Sequence, residues 1–314
     1  MLLPILSLLA GFILLMWSAD AFTDNGAKIA RIFNISPLVI GLLIFGFGTS
    51  APEMLVSGLA AYDGHPEMSI GNAFGSNIFN IGLVLGVTAI ILPITVEKSV
   101  LKKEWLFLFL STLIVGFLLL DGFLSFTDGL ILISLLTLFL INVFRESKKN
   151  NLTDSDNDSL ENNSQKNDKG RTWLLLIVSL IILVSSARLV VWGGTSLALS
   201  FGVSDLIIGL TVVALGTSLP ELAVSISSAL KKQHQMVIGN IIGSNLFNTL
   251  GVLAIPGLIL PFQIPTEVMS RDFFFMLMFT LLVLILSMRL KISRFGGFIL
   301  LTALAIYLYQ LFWI

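Results

Sequence analysis

The chain alternates between long apolar runs and short polar breaks. Ten runs reach or approach the roughly 20 residues that cross a bilayer as a helix. They lie near 2–19, 37–61, 70–92, 105–120, 123–144, 173–199, 206–230, 236–260, 273–288 and 295–312, the fourth and ninth being the shortest. The pattern predicts an all-α integral membrane protein with ten transmembrane helices.

Polar positions inside these runs follow an internal repeat. Residues 38–85 and 206–253 align without a gap at a constant offset of 168, with about 23 of the 48 positions identical. The first copy reads LVIGLLIFGFGTSAPEMLVS, then IGNAFGSNIFN; the second reads LIIGLTVVALGTSLPELAVS, then IGNIIGSNLFN. Each copy carries one glutamate, Glu53 or Glu221, deep in an apolar run. A carboxylate at bilayer depth is expensive and marks a candidate functional site.

Composition agrees with the membrane class: 56% hydrophobic, 12% charged, mean hydropathy +0.97. The absence of cysteine excludes disulfides, thiolate metal sites and cysteine nucleophiles. The first run lacks a basic flank and a small-residue cleavage site, so it reads as the first span and not as a signal peptide.

Charge placement carries more than the net charge of −1. Assigning alternate loops to opposite sides puts 16 of the 18 Lys and Arg residues on one side and leaves Arg188 and Arg271 for the other. The positive-inside rule then predicts both termini outside, with the basic loops and the polar run 145–171 in the cytoplasm of a multi-pass inner (plasma) membrane protein. Five spans per half make the second half enter upside down. The aligned loops agree: Asp63, Gly64 and Glu67 in the first copy correspond to Lys231, Lys232 and Gln235 in the second. The expected organisation is a five-helix repeat over 1–144, a disordered cytoplasmic linker over 145–171, and an inverted five-helix repeat over 172–314. Within the linker, Asp154, Asp156 and Asp158 imitate an EF-hand start, but Ser159 and Gln165 occupy the glycine and final glutamate positions.

Pro52 and Pro220 lack an amide hydrogen, so each frees a carbonyl four residues back, at Gly48 and Gly216. The sequence therefore predicts discontinuous helices beside the two glutamates. Non-helical backbone at this depth belongs where it lines a cavity or is buried in protein. Thr49 and Glu53 share a helix face, with Ser50 beside Thr49; Thr217, Ser218 and Glu221 repeat the arrangement. Asn72, Ser76 and Asn80 form a polar stripe at i, i+4 and i+8, repeated by Asn240, Ser244 and Asn248. Ser76, Asn80, Ser244 and Asn248 read as neutral oxygen ligands. Asn72, Asn77, Asn240 and Asn245 read as interhelical hydrogen-bonding groups, and Gly71, Gly75, Gly239 and Gly243 as close-packing positions. Asp20 and Arg188 occupy matching positions in spans one and six, near membrane boundaries; Asp205 reads as a helix-start carboxylate.

Two carboxylates without a basic neighbour in sequence need a cation between them or a proton. One Ca²⁺, two Na⁺, two H⁺ or a mixture balances the pair, so competition for one cage is a physical route to exchange. Magnesium fits less well because it dehydrates reluctantly.

With these motifs the chain resembles the cation/calcium exchanger superfamily, and within it the prokaryotic sodium/calcium exchangers. The resemblance rests on GTSAPE with GSNIFN and GTSLPE with GSNLFN, in two halves covering nearly the whole chain. It implies a central site built by spans 2, 3, 7 and 8. Glu53 and Glu221 would be the main ligands of Ca²⁺ and competing Na⁺, and Thr49 and Thr217 would add oxygens at the Ca²⁺ position. Ser50 and Ser218, with backbone carbonyls at Gly46 and Ala214, would form flanking Na⁺ positions, and Ser76, Asn80, Ser244 and Asn248 would complete the centre. It further implies that spans 1 and 6 slide across this core. Potassium-dependent members carry aspartate where this chain has Asn248, which argues against potassium cotransport.

The expected activity is antiport of Na⁺ against Ca²⁺, with calcium extrusion and with no enzyme activity, resident cofactor, nucleic acid or obligatory protein partner. The nearest alternative is a Ca²⁺/H⁺ antiporter using the same glutamates. A channel lined by the polar stripes, and an intramembrane hydrolase using Ser50 or Ser218, are the other classes; the latter lacks an evident His or Lys base.

Overall fold

The computed structural model describes residues 2–153, 169–201 and 214–313. Among these residues nine helices are long and apolar enough to cross a membrane. They are α1 (Leu2–Ile32), α2 (Pro37–Tyr62), α3 (Pro66–Ile91), α4 (Lys98–Asp121), α5 (Phe126–Thr153), α6 (Lys169–Ser200), α8 (His234–Ile259), α9 (Val268–Ser287) and α10 (Arg294–Trp313). Between α6 and α8 lies a shorter apolar helix, α7 (Leu219–Leu230), preceded by one turn at Ala214–Thr217. The rest of the expected seventh span, with Asp205, lies outside the described residues, as do 154–168 of the expected linker and its acidic triplet. Helix α5 continues to Thr153 and α6 opens at Lys169, both inside the segment expected as linker.

Burial sorts the helices. In the spanning windows of α8 and α3, 89% and 72% of residues are buried, against 28% in α1 and α5. Helices α3 and α8 therefore sit centrally, and α1 and α5 offer Leu, Ile and Phe side chains to lipid. Two apolar clusters follow. The larger joins α2–α5 to α8–α10 through residues such as Phe74, Trp105, Ile242 and Phe279. The smaller joins α1 and α6 to each other and to α2 and α7 through Phe22, Leu183, Phe45 and Val224. Helices α1 and α6 touch almost backbone to backbone: Ser7 Oγ donates to Leu189 O at 2.8 Å, and a Cβ on Gly193 would stand 2.9 Å from Pro4 O.

Helices α2 and α8 cross equally closely. A Cβ on Gly46 would lie 2.8 Å from Gly243 Cα and carbonyl carbon, and one on Gly41 would lie 2.8 Å from Gly239 Cα. Gly239 and Gly243 are thus close-packing positions, as expected. The expectation differs at Gly71 and Gly75, where a Cβ would meet nothing within 4 Å among the described residues. By the 168-residue offset the segment that would pack against them, the counterpart of 38–45, is 206–213, which lies outside those residues. Because no rotamer of a larger residue fits at the crossing, Gly46→Val is expected to lower stability by about 1–3 kcal/mol. Thermal unfolding in detergent checks this; an unchanged midpoint would mean that α2 and α8 do not meet there.

The expected helix break at Pro52 is corrected. Residues Gly46–Tyr62 form continuous α-helix through Pro52. Proline removes one donor, and the flanking turns hold the helix across the gap. The irregularity lies about two to three turns before Pro52, in a π-helical turn at Gly41–Phe45, where the Gly46 amide reaches back to Gly41 O. In the second copy the break is present: Ser218 is non-helical between Ala214–Thr217 and Leu219–Leu230. Pro220 then sits in the first turn of α7, where its missing N–H costs nothing.

Two short antiparallel pairs tie the halves together. Strand β1 (Ile94–Thr95) pairs with β4 (Lys291–Ile292), and β2 (Phe123–Leu124) with β3 (Phe262–Gln263). The register Ile94↔Ile292 in one pair becomes Phe262↔Leu124 in the other. Each residue stands 168 positions from its counterpart, so the offset that relates the motifs also exchanges the two clasps.

Candidate functional site

Both repeat glutamates are removed from solvent: Glu53 on α2 is 0% exposed and Glu221 on α7 is 1% exposed. Both belong to one buried polar cluster at the meeting of α2 and α7. Ser50 Oγ, one turn before Glu53, donates to Glu221 Oε1 at 3.4 Å and so ties the two motifs together. Thr49 also adjoins the Glu221 carboxylate. Among the described residues neither glutamate has an ion-pair partner. Both Glu53 oxygens and Glu221 Oε2 have no hydrogen-bond partner there either. Buried carboxylate oxygens in native proteins are almost always satisfied, so these three point to a ligand.

Neutral oxygens surround the pair. Thr49 Oγ1 donates to Phe45 O at 2.9 Å and lies 3.3 Å from Ser244 Oγ on α8. Ser244 Oγ in turn reaches Gly46 O at 3.5 Å. The structure thus gathers Gly46, Thr49, Ser50, Glu53, Glu221 and Ser244. Asn80 on α3 and Asn248 on α8 are buried, and neither amide has either polar atom partnered among the described residues. Asn80 opens the π-helical turn Asn80–Leu85, and Asn248 lies in the corresponding turn Phe247–Val252. Such turns concentrate at functional sites. Ser76 is buried one helical turn before Asn80. Ser218 is buried at the break in the second copy, its Oγ without a partner among the described residues. Thr217 precedes it and lines a cavity of about 390 Å³ with Pro52, Val56 and Pro220. Ala214 opens the short helix that ends at Thr217.

The supporting asparagines behave in matched fashion. Asn72 Nδ2 donates to Glu53 O at 3.1 Å and to Ser57 Oγ at 3.0 Å. Asn240 Nδ2 donates to Glu221 O at 3.2 Å and to Ser225 Oγ at 2.9 Å. Each asparagine therefore fixes the backbone of the glutamate in its own copy. Asn77 Nδ2 bonds to Thr249 Oγ1 at 2.7 Å. Its counterpart Asn245 has no partner among the described residues, because Ile81 stands where the repeat would need a second threonine. Ser57, Ser225 and Thr249 are functional neighbours that motif reading missed; the serines are visible in the duplicated sequence four residues after each glutamate. Asn240→Leu should remove the brace on the Glu221 backbone and lower stability by about 1–3 kcal/mol with the fold retained. Thermal unfolding in detergent measures it, and an unchanged midpoint would make the brace irrelevant.

The chemistry suits a cation more than catalysis. Among the described residues no three His, Cys, Asp or Glu side chains converge. The buried polar groups brought together are instead carboxylates with hydroxyl and backbone oxygens, hard donors of the kind Ca²⁺ prefers. Ser50 donates to a carboxylate and not to a histidine or lysine, and His234 opens α8 at its end.

Comparison with known proteins agrees with this geometry. The family model described as sodium/calcium exchanger protein matches residues 3–145 and 171–313. The putative antiporter CaxA of Alkalimonas amylolytica is 41% identical over 99% of both chains. Inner membrane protein YrbG of Escherichia coli strain K12 is 35% identical over 100% of this chain and 98% of its own. A solved structure of the sodium-calcium exchanger NCX_Mj, soaked with zero Na⁺ and Ca²⁺, superposes with a TM-score of 0.86 at 36% identity over 99% of both chains. A family match over nearly the whole length, together with a shared membrane fold, places this chain in the sodium/calcium exchanger family, as a multi-pass membrane cation antiporter.

Proposed function

We propose that the protein exchanges Na⁺ for Ca²⁺ by alternating access, with Glu53 and Glu221 hosting the rival cations in turn. The observation that carries this is the pair of buried carboxylates, joined through Ser50, with three unpartnered oxygens and no ion-pair partner among the described residues. Moving each charge out of water costs several kcal/mol even after relaxation, so about two positive charges must accompany the pair. One Ca²⁺ supplies them, and so do two Na⁺, which makes occupancy mutually exclusive. Thr49, Thr217, Ser76, Asn80, Ser244 and Asn248 complete the Ca²⁺ position in this reading. Ser50 and Ser218, with the carbonyls of Gly46 and Ala214, form the flanking Na⁺ positions.

The same reading takes the chain as ten spans in two inverted repeats, 1–144 and 172–314, joined by a cytoplasmic linker over 145–171, with both termini outside the inner membrane. The exchange of the two strand clasps under the 168-residue offset supports the repeat relation, and the one-sided distribution of Lys and Arg supports the orientation. In proteoliposomes loaded with Na⁺ and diluted into Na⁺-free medium, ⁴⁵Ca²⁺ is expected to accumulate. Uptake driven by a pH gradient alone, with Na⁺ absent throughout, would overturn the assignment in favour of Ca²⁺/H⁺ antiport.

A further inference from the structure

Lys231, directly after α7, holds two carboxylates of α1. Its Nζ lies 2.6 Å from Asp20 Oδ1 and 2.7 Å from Asp24 Oδ1, and it donates to Asp20 O at 2.9 Å. Ser227 Oγ adds a bond to Asp20 Oδ1 at 3.2 Å. The cluster pins α1 to the end of α7 on the lysine-rich face.

The 168-residue offset gives the Lys231–Asp20 pair a counterpart, while Asp24 falls on Trp192 and Ser227 on Leu59. Asp20 corresponds to Arg188 on α6, and Lys231 corresponds to Asp63, which closes α2. Both signs are reversed, and the product of the charges is kept. Had only one position changed, the counterpart would be a like-charged pair. Reversal at both sites preserves an attraction on the face where the chain carries few basic residues. Among the described residues that second pair is not formed: neither Arg188 nor Asp63 makes an ion pair. Arg188 is exposed and lines the cavity of about 390 Å³ between α2, α6 and the start of α7, with Ala187, Pro52 and Val56. The contrast is sharpest at Val56, which is exposed, against its repeat counterpart Val224, which is buried with Ala19 in the seam beside the Lys231 cluster. One seam is packed and latched; its counterpart holds a cavity and is unlatched.

We propose that Lys231–Asp20/Asp24 and Arg188–Asp63 are reciprocal latches, each made in one of the two access states and broken in the other. This rests on the antiport reading above. When inverted repeats exchange conformations, each half takes up the geometry of its counterpart. The state that packs α6 against α2 then brings Arg188 to Asp63 and opens Lys231 from α1. These residues touch no transported ion; they position α1 and α6 and set the balance between states. Partly exposed ion pairs make that a modest bias, roughly two- to five-fold in population for each latch.

The natural chain contains no cysteine, so pairs can be introduced without background. Cysteines placed at 20 and 231, and in a second protein at 63 and 188, are treated in proteoliposomes with a short bis-thiol reagent under different Na⁺ and Ca²⁺ gradients. Conditions that raise linking of one pair should lower linking of the other. Arg188→Gln and Asp63→Asn should each slow Na⁺-driven Ca²⁺ uptake roughly two- to five-fold, the double variant should be no slower than either, and the charge swap Arg188→Asp with Asp63→Arg should restore the rate. The proposal falls if the parent protein exchanges Ca²⁺ for Na⁺ yet the 63/188 pair never links, if both pairs link together, or if the two substitutions act additively. Absence of exchange in the parent itself would instead remove the antiport reading.

Discussion

Glu221→Gln is expected to reduce Na⁺-driven Ca²⁺ uptake by about 100-fold or more, and Glu53→Gln to do the same, with both proteins still inserted and folded. The amide keeps the size of the side chain and two polar atoms but removes one of the two charges that a divalent ion must balance. In a medium of low dielectric an unbalanced charge costs several kcal/mol, and each 1.4 kcal/mol is a factor of ten. Folding should not suffer, because neither Glu53 oxygen holds a protein partner among the described residues and the neutral side chain is cheaper to bury. A second readout follows. A ligand that binds only the folded state raises its stability, so Ca²⁺ should raise the unfolding midpoint of the natural protein in detergent and leave that of either variant unchanged. Uptake near the natural rate in Glu53→Gln or Glu221→Gln would end the shared-cage account. Loss of uptake with full Ca²⁺ stabilisation would move the defect from binding to the conformational step.

Much of this arrangement was legible before any coordinates. The matched glutamates stand out because a charge in an apolar run is costly, and the motif spacing puts Thr49 and Glu53 on one face. What was not legible depends on contacts between distant segments. Helix α1 runs to Ile32, well past its apolar stretch, with its last turns burying Ala27, Ile29 and Ala30 in the smaller apolar cluster. The π-helical turns at Asn80 and Phe247 are absorbed by packing and leave no fixed residue signature. Pro52 illustrates the limit of local rules: the missing donor is real, but the surrounding helix tolerates it. Ser57 and Ser225 were present in the duplicated sequence, and they gain meaning only when Asn72 and Asn240 are seen to reach them.

The second large effect is expected from Asn248→Asp. Asn248 is fully buried with both amide atoms unpartnered among the described residues, and in the proposed cage it stands beside a pair of acids that one Ca²⁺ just balances. A third carboxylate leaves the Ca²⁺-loaded cage with one negative charge in excess. That charge must be neutralised before the loaded carrier can change state, and the available neutralisers are a monovalent cation or a proton. In medium free of Na⁺ and K⁺ at neutral pH, the variant should therefore take up Ca²⁺ about tenfold or more slowly than the natural protein, each factor of ten being only about 1.4 kcal/mol of uncompensated charge. Added K⁺, or a fall in pH, should restore the rate. The natural protein should respond to neither, because its cage is already balanced. Asn80→Asp provides the counterpart in the other half and should show the same dependence if the two amides occupy equivalent places around one ion. Equal rates for Asn248→Asp with and without K⁺, at every pH tested, would mean that residue 248 lies outside the electrostatic reach of the carboxylate pair, and the cage would then have to be drawn without it.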